Sequence, residues 1–171
     1  SLEEYILYKA AKDEPLKDYH LSYYYHMQGK SLLATKVLQS SILSANEHAS
    51  KIFALLGRIY YENNEPFKAL EAAQKAYKDD NKNYLAAQTI ADVYYDDRKF
   101  ADALKYYKIA QKHTKDFAAA VGIAKSYLAL EQNKKSQKIY NKLLKKQTVD
   151  EDLYVGALKV YPQKVYDFLP A

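Results

Sequence analysis

Residues with chemistry to offer are thinly spread along this chain. Four histidines, His20, His26, His48 and His113, are scattered over 171 residues. His20 and His26 are six apart, which turns them to different faces of a helix, and no two histidines stand at the spacing by which one helix face holds a metal. Cysteine is absent, so there is no thiolate site and no disulfide framework. The acidic pairs Asp79-Asp80 and Asp96-Asp97 fall in polar breaks between apolar segments, where carboxylates stop and cap helices. There is no glycine-rich phosphate loop and no Gly-x-Ser-x-Gly elbow. The expectation is a non-catalytic chain with no metal and no cofactor.

The abundant functional side chain is tyrosine, at 19 residues against no Trp and one Met. Its ring is apolar and its hydroxyl can stay wet at a groove wall. The tyrosines follow a pattern. The stretch "GRIYYENNEPFKALEAAQKAY" from Gly57 is echoed by "ADVYYDDRKFADALKYYKIAQ" from Ala91, so that Tyr60-Tyr61 returns as Tyr94-Tyr95 and Ala69 as Ala103, while Phe67 returns as Phe100 one place out of step. Tyr25 precedes and Tyr127 follows at nearly the same period. Three further columns keep register: Ala34, Ala69, Ala103, Ser136; Leu38, Ala73, Tyr107, Tyr140; and Ser41, Ala76, Ala110, Leu143. Four columns shared by four units make an internal repeat.

Each unit divides into two helices. Ile52, Leu55, Leu56, Ile59 and Tyr60 recur at three- and four-residue intervals and predict a helix over about 50–62. "ENNEP" ends it, and Phe67, Leu70, Ala73, Ala76 and Tyr77 mark a second. Breaks at "MQGK", "KDDNKN", "DDRK", "KHTKD" and "LEQNK" give units over 15–49, 50–83, 84–116 and 117–149. With only four Gly and four Pro, helices joined by short polar turns fit better than sheets. Before the array, "SLEEYILYKAAKDEP" predicts a helix over about 2–12 within a flanking segment 1–14. After it, 150–171 reads as a capping helix and tail. These ends either cap the array or are half-units of a longer one.

The units resemble the tetratricopeptide repeat family. Phe53, Leu56, Gly57, Tyr60 and Ala69 stand where its W-x2-L-G-x2-Y…A pattern expects them. Ala87, Ile90, Ala91, Tyr94, Ala103, Tyr107 and Ala110 repeat it closely. Ala120, Ile123, Ala124, Tyr127, Ser136 and Tyr140 follow more loosely, as do Leu21, Ser22, Tyr25, Ala34 and Leu38. The proline that usually closes a repeat is replaced by Asn81 and Lys115. The resemblance covers about 15–149. It implies an all-α, right-handed α-α superhelix of about four helix pairs with flanking helices. It also implies a concave groove lined by the first helix of each unit, suited to a partner peptide or helix.

In that family the first tyrosine of each pair is core and the next residue looks into the groove. Carried onto this chain, the groove columns read His26, Tyr61, Tyr95 and Leu128, then Tyr23, Arg58, Asp92 and Lys125 one turn earlier, then Tyr19, Ala54, Gln88 and Val121. The aromatic members would supply contact area, and Arg58, Asp92 and Lys125 would set register. Ala54 and Arg58 replace the Lys and Asn of the carboxylate clamp by which some members bind chaperone tails, which argues against that ligand.

Charge is unevenly placed. Residues 117–149 hold seven basic and one acidic side chain, against nineteen and twenty in the remainder. Lys134, Lys135, Lys138, Lys142, Lys145 and Lys146 crowd one second helix. They form either a solvated convex face or a docking face for an anionic partner. No nucleic-acid recognition module accompanies them, so nucleic acid is disfavoured, as is a membrane surface. A third reading is a homo-oligomer stacking through its ends, prompted by Leu153, Val155, Val165 and Phe168. Enrichment in Tyr, Lys and Asn suits an AT-rich, bacterial genome. No run approaches the roughly eighteen apolar residues of a membrane span, and cytoplasm and periplasm both stay open.

Overall fold

The computed structural model describes residues 16–42, 48–145 and 159. Among them run eight α-helices in four consecutive pairs and no strand: α1 (Lys17–Met27) with α2 (Ser31–Ile42), α3 (Ala49–Glu62) with α4 (Pro66–Asp79), α5 (Tyr84–Asp96) with α6 (Phe100–His113), and α7 (Ala118–Ala129) with α8 (Asn133–Leu144). Each helix packs mainly on the next, and the first helices α1, α3, α5 and α7 also touch one another in sequence. The expected helices within 1–14 and 150–171 lie outside the described residues, as do Lys146, Leu153, Val155, Val165 and Phe168.

One turn is used four times. The backbone turns through positive φ at Gly29 (70°), Asn64 (61°), Arg98 (58°) and Glu131 (59°), the same place in each unit. At each, two N–H groups return to the helix just ended. Gly29 and Lys30 donate to the carbonyls of His26 and Tyr25, Asn64 and Glu65 to those of Tyr61 and Tyr60, Arg98 and Lys99 to those of Tyr95 and Tyr94, and Glu131 and Gln132 to those of Leu128 and Tyr127, all at 2.8–3.0 Å. This paired closure satisfies helix-end carbonyls and suits glycine at the left-handed position. Tyr25, Tyr60, Tyr94 and Tyr127 therefore anchor the four turns, each with the residue that follows it. Only the first unit uses glycine there.

Within each pair the two helices cross at small residues. A Cβ added to Gly57 would stand 3.0 Å from the Ala73 nitrogen and 3.1 Å from the Ala69 oxygen. Ala91 meets Ala103 at the equivalent crossing, all of these alanines being fully buried. The outer units place a serine there, on opposite helices. Ser22 Oγ donates to the Ala34 carbonyl at 2.7 Å, and Ser136 Oγ to the Ala124 carbonyl at 2.9 Å. Between units, Tyr77 meets Tyr106 edge-on at 5.7 Å, and Ile52, Leu55, Leu56 and Ile59 form a core with Leu38.

Two expectations need correction. Tyr60, Tyr94 and Tyr127 are half-buried rather than core; the true core columns are their neighbours such as Ile59, Ile90 and Ile123. Their rings lie on the outer side under lysine ammoniums, with Lys68 over Tyr60 at 5.5 Å, Lys99 over Tyr94 at 5.9 Å and Lys135 over Tyr127 at 5.3 Å. Phe67 does not join the apolar stripe of α4 but is 89% exposed. A one-residue offset rotates a helical side chain by about 100°. That offset turns Phe67 outward, whereas Phe100 packs edge-on against Tyr95 at 5.2 Å.

A non-glycine residue at left-handed φ is strained by roughly 1 kcal/mol, partly offset by the extra freedom glycine has when unfolded. Arg98→Gly and Glu131→Gly should each stabilise the chain by about 0.5–1 kcal/mol, read as a higher urea midpoint. Asn64→Gly should change it far less, because asparagine tolerates this conformation. No gain at either charged position would show that their side chains hold the turn in some other way.

Candidate partner-binding groove

Beside the first helices lies a cavity of about 350 Å³. Arg58 and Tyr61 reach it from α3, Gln88, Asp92 and Tyr95 from α5, and Lys125 from α7. The family resemblance places these six and Val121 in one groove, and all seven line this cavity. Asp96, Tyr107, Ala118 and Gly122 complete the walls.

A chain of paired polar groups leads from the first unit into the floor. His26 Nε2 meets Glu62 Oε2 at 3.0 Å. The other oxygen of Glu62 accepts from Arg58 Nε at 2.6 Å. Arg58 Nη1 donates to Asp92 Oδ2 at 2.6 Å, and the Tyr107 hydroxyl donates to Asp92 Oδ1 at 2.6 Å. Alongside, the Tyr61 hydroxyl donates to Asp96 Oδ2 at 2.8 Å. Two cations face aromatic rings, Arg58 over Tyr61 at 5.3 Å and Lys125 over Tyr95 at 5.7 Å. The line runs from the first unit through the second to the third.

Burial decides which links matter. The Asp92 side chain is 16% exposed and Arg58 25%, so this pair works in a lower dielectric than the rim contact of Glu62, which is 40% exposed. Burial pushes the Asp92 carboxyl above its ordinary value, against the pull of Arg58 and Tyr107. Burial likewise raises the Tyr107 and Tyr61 hydroxyls, and their carboxylate acceptors add to the rise. Glu62 goes the other way. The hydrogen bond with His26, helped by Arg58 and opposed by partial burial, holds it down at about 2.

Tyr107 is the wall residue that repeat spacing misses. It sits on a second helix, in the column of Leu38 and Ala73, and a second helix is expected to face away from the groove. It reaches the floor because α7 has Gly122 beneath it. A Cβ there would lie 2.4 Å from the Tyr107 ring. The signal was present as a large residue in a small-residue column and a lone glycine within "AAAVGIA". Asp96 ends α5, as expected of an acidic pair in a polar break, and it also receives the Tyr61 hydroxyl.

No family model matches the chain, and no curated protein matches it in sequence. Solved structures do match. A tetratricopeptide repeat protein from Parabacteroides merdae superposes with a TM-score of 0.68 at 18% identity over 91% of this chain. A chain of the APC/C hetero-tetramer Cut9–Hcn1 superposes with a TM-score of 0.76 at 16% identity over 95%. YrrB, described as a tetratricopeptide repeat protein with an unusual peptide-binding site, does so at 0.65 with 17% identity over 85% of this chain and 74% of its own. The chain has the tetratricopeptide repeat fold. It spans 61% of the first of these structures and 33% of the second.

Within this tetratricopeptide repeat array the remaining groove candidates are placed elsewhere. Tyr19 and Tyr23 lie outside the cavity, half-buried against the core cluster of Ile52 and Leu55; burial, with Tyr84 and Tyr23 nearby, raises the Tyr19 hydroxyl. His26 also lies outside the cavity and is engaged by Glu62. Arg58 and Asp92, expected to read a ligand's register, pair with each other. Lys134, Lys135, Lys138 and Lys142 are exposed on α8 and Lys145 just past its end, away from this cavity. Among the described residues no helix is long and apolar enough to cross a membrane, and no cluster of three or more His, Cys, Asp or Glu could hold a metal.

Three variants test the floor and the polar chain that leads into it. Tyr107→Phe leaves a buried carboxylate oxygen unpaired and should cost about 1.5–3 kcal/mol. Gly122→Ala should cost about 1–3 kcal/mol by displacing the same ring; a neutral result for both would separate Tyr107 from the floor. Because the folded value of Glu62 lies below its ordinary 4.5, its contribution is complete above about pH 4.5 and is lost as pH falls toward 2. Solvent screening keeps it to at most about 1 kcal/mol. The gap in urea midpoint between the parent chain and Glu62→Gln should therefore be largest near neutral pH and shrink at pH 3.

Proposed function

We propose that the chain is a non-catalytic protein-interaction scaffold whose groove holds a short extended segment of a protein partner. The observation that carries this reading is the cavity of about 350 Å³ whose floor is already cross-linked by hydrogen bonds and ion pairs. Side chains held in place before binding lose little entropy when a ligand arrives. Tyr61 and Tyr95 offer rigid ring area at low entropic cost. The Gln88 amide is suited to the backbone of an extended chain. The volume is at the lower end of ligand-pocket sizes, so it receives one or two anchoring side chains while the rest of the segment runs along the first helices.

Because Arg58 is engaged by both Glu62 and Asp92, it is not available to clamp a terminal carboxylate. Ala54 is buried. These two positions argue against a chaperone-tail receptor. Peptide binding is the property named for YrrB, and the likeness supports the same class of ligand here.

A pull-down from the source organism, run in parallel with the parent chain and with Tyr61→Ala/Tyr95→Ala, tests the assignment. The expected outcome is a protein retained by the parent chain and lost by the double variant, with at least a tenfold drop in affinity for the isolated segment and unchanged helicity. Equal retention by both would remove the groove as the site.

A further inference from the structure

The outer side of the array repeats a groove between successive second helices, and two copies of it can be compared. Between α2, α3 and α4 it encloses about 400 Å³, with Phe53 and Tyr60 among its walls. Between α6, α7 and α8 it is wider, about 580 Å³. The repeat explains the difference. Ala120 stands at the position of Phe53, and Gln111 at that of Ile42. The floor of the wider cleft is apolar, built from Phe117, Ala120, Ile139 and Leu143.

The rims differ in charge as well as size. In the first groove Lys75 is paired with Glu71 at 2.8 Å, and Lys68 with Glu65 at 2.5 Å. In the second, Lys142 takes the place of Lys75, but Lys138 takes the place of Glu71. The neutralising carboxylate has become a second cation. Lys115 adds a third from the opposite edge. Among the described residues Asp116 is the only acidic one lining it, and its Oδ1 is already accepting the Ala118 N–H at 3.1 Å. No carboxylate among the described residues pairs with Lys115, Lys138 or Lys142.

We propose that this cleft is a second docking site, separate from the groove of the first helices, for an acidic segment of a protein partner that carries one bulky apolar side chain. The apolar side chain enters the cleft between Ala120 and Ile139, and flanking carboxylates meet Lys115, Lys138 and Lys142. An apolar floor with a three-lysine rim selects that combination over a plain polyanion, which needs no floor, and over an uncharged apolar ligand, which leaves the lysines unused.

The test is fluorescence anisotropy of the full chain with two labelled peptides, Asp-Glu-Phe-Glu-Asp and Asp-Glu-Ala-Glu-Asp, at low salt. The Phe peptide should bind at least tenfold more tightly than the Ala peptide. Lys138→Gln with Lys142→Gln should weaken it at least tenfold. Ala120→Phe, which installs the residue of the narrower groove, should erase the preference for Phe without altering charge. Gln111→Tyr, at an exposed position, gives a second filling variant should Ala120→Phe lose helicity. Tyr61→Ala/Tyr95→Ala should leave all of this unchanged, which keeps the result independent of the first groove. The proposal is overturned if the two peptides bind equally, if neither binds, or if the preference survives both filling variants. It is equally overturned, in favour of a lipid surface, if vesicles of phosphatidylserine and phosphatidylcholine bind and the peptides do not.

Discussion

Everything in this array hangs on how closely two helices of one unit can approach. The crossing point is lined by Gly57 with Ala69, by Ala91 with Ala103, by Ser22 with Ala34 and by Ala124 with Ser136, and even a Cβ added at Gly57 would stand 3.0 Å from the Ala73 nitrogen, so that the helices would have to shift to admit it. A buried hydroxyl in such a place would be costly if unpaired. Both serines avoid that cost by donating to the carbonyl opposite, which keeps a lone pair beyond its helical bond. The close crossing allows turns of only a few residues, and those turns force the left-handed residue that appears four times.

Apolar packing makes units cohere but says little about register, since one small-residue crossing resembles the next. The polar contacts are specific. His26 to Glu62, Arg58 to Asp92 and Tyr61 to Asp96 each join residues about one repeat apart. In a linear array, stability is a sum of unit terms and neighbour terms; these contacts belong to the neighbour term and tie three units into one alignment. Partial burial sharpens them. Removing one partner leaves the other desolvated and unpaired, a larger penalty than the bond's own net worth. The same contacts consume Arg58 and Asp92. A ligand in the proposed groove would therefore meet rings, an amide and a fixed floor rather than two charges waiting to be paired.

The helical plan and the four units were legible because each rests on periodicity, which survives in sequence as recurring residue type; seven lining residues of the groove were legible only through the family resemblance laid over that periodicity. What periodicity cannot show is an exchange of roles between columns. Tyr107 occupies a second-helix column yet supplies the groove floor, because Gly122 removes the side chain in its way. Arg58 and Asp92 follow the groove column faithfully, but that each would satisfy the other depends on a distance between units that no single unit encodes. Phe67 and Phe100 differ by one position, enough to send one to solvent and the other onto a tyrosine. The half-buried state of Tyr60, Tyr94 and Tyr127 was hidden for a related reason. A tyrosine anchors a turn through its backbone carbonyl, and its ring is then free to pack at the edge of the core with a lysine over it.

Helix α7 shows how one local choice serves two surfaces. Its run Ala118-Ala119-Ala120-Val121-Gly122 is the least bulky stretch of any first helix here. On one side Gly122 lets the Tyr107 ring through to Asp92 and Val121 borders the first cavity. On the other, Ala120 leaves open the cleft beneath Lys138 and Lys142. Alanine keeps such a helix formed despite its lack of bulk, since it carries no side-chain entropy penalty. The helix is held instead by neighbours that reach over it, Tyr107 from α6 and Tyr140 from α8. Bulk has moved from the first helix to the second helices of these two units. The floor of one cavity and the opening of the other both follow from that transfer.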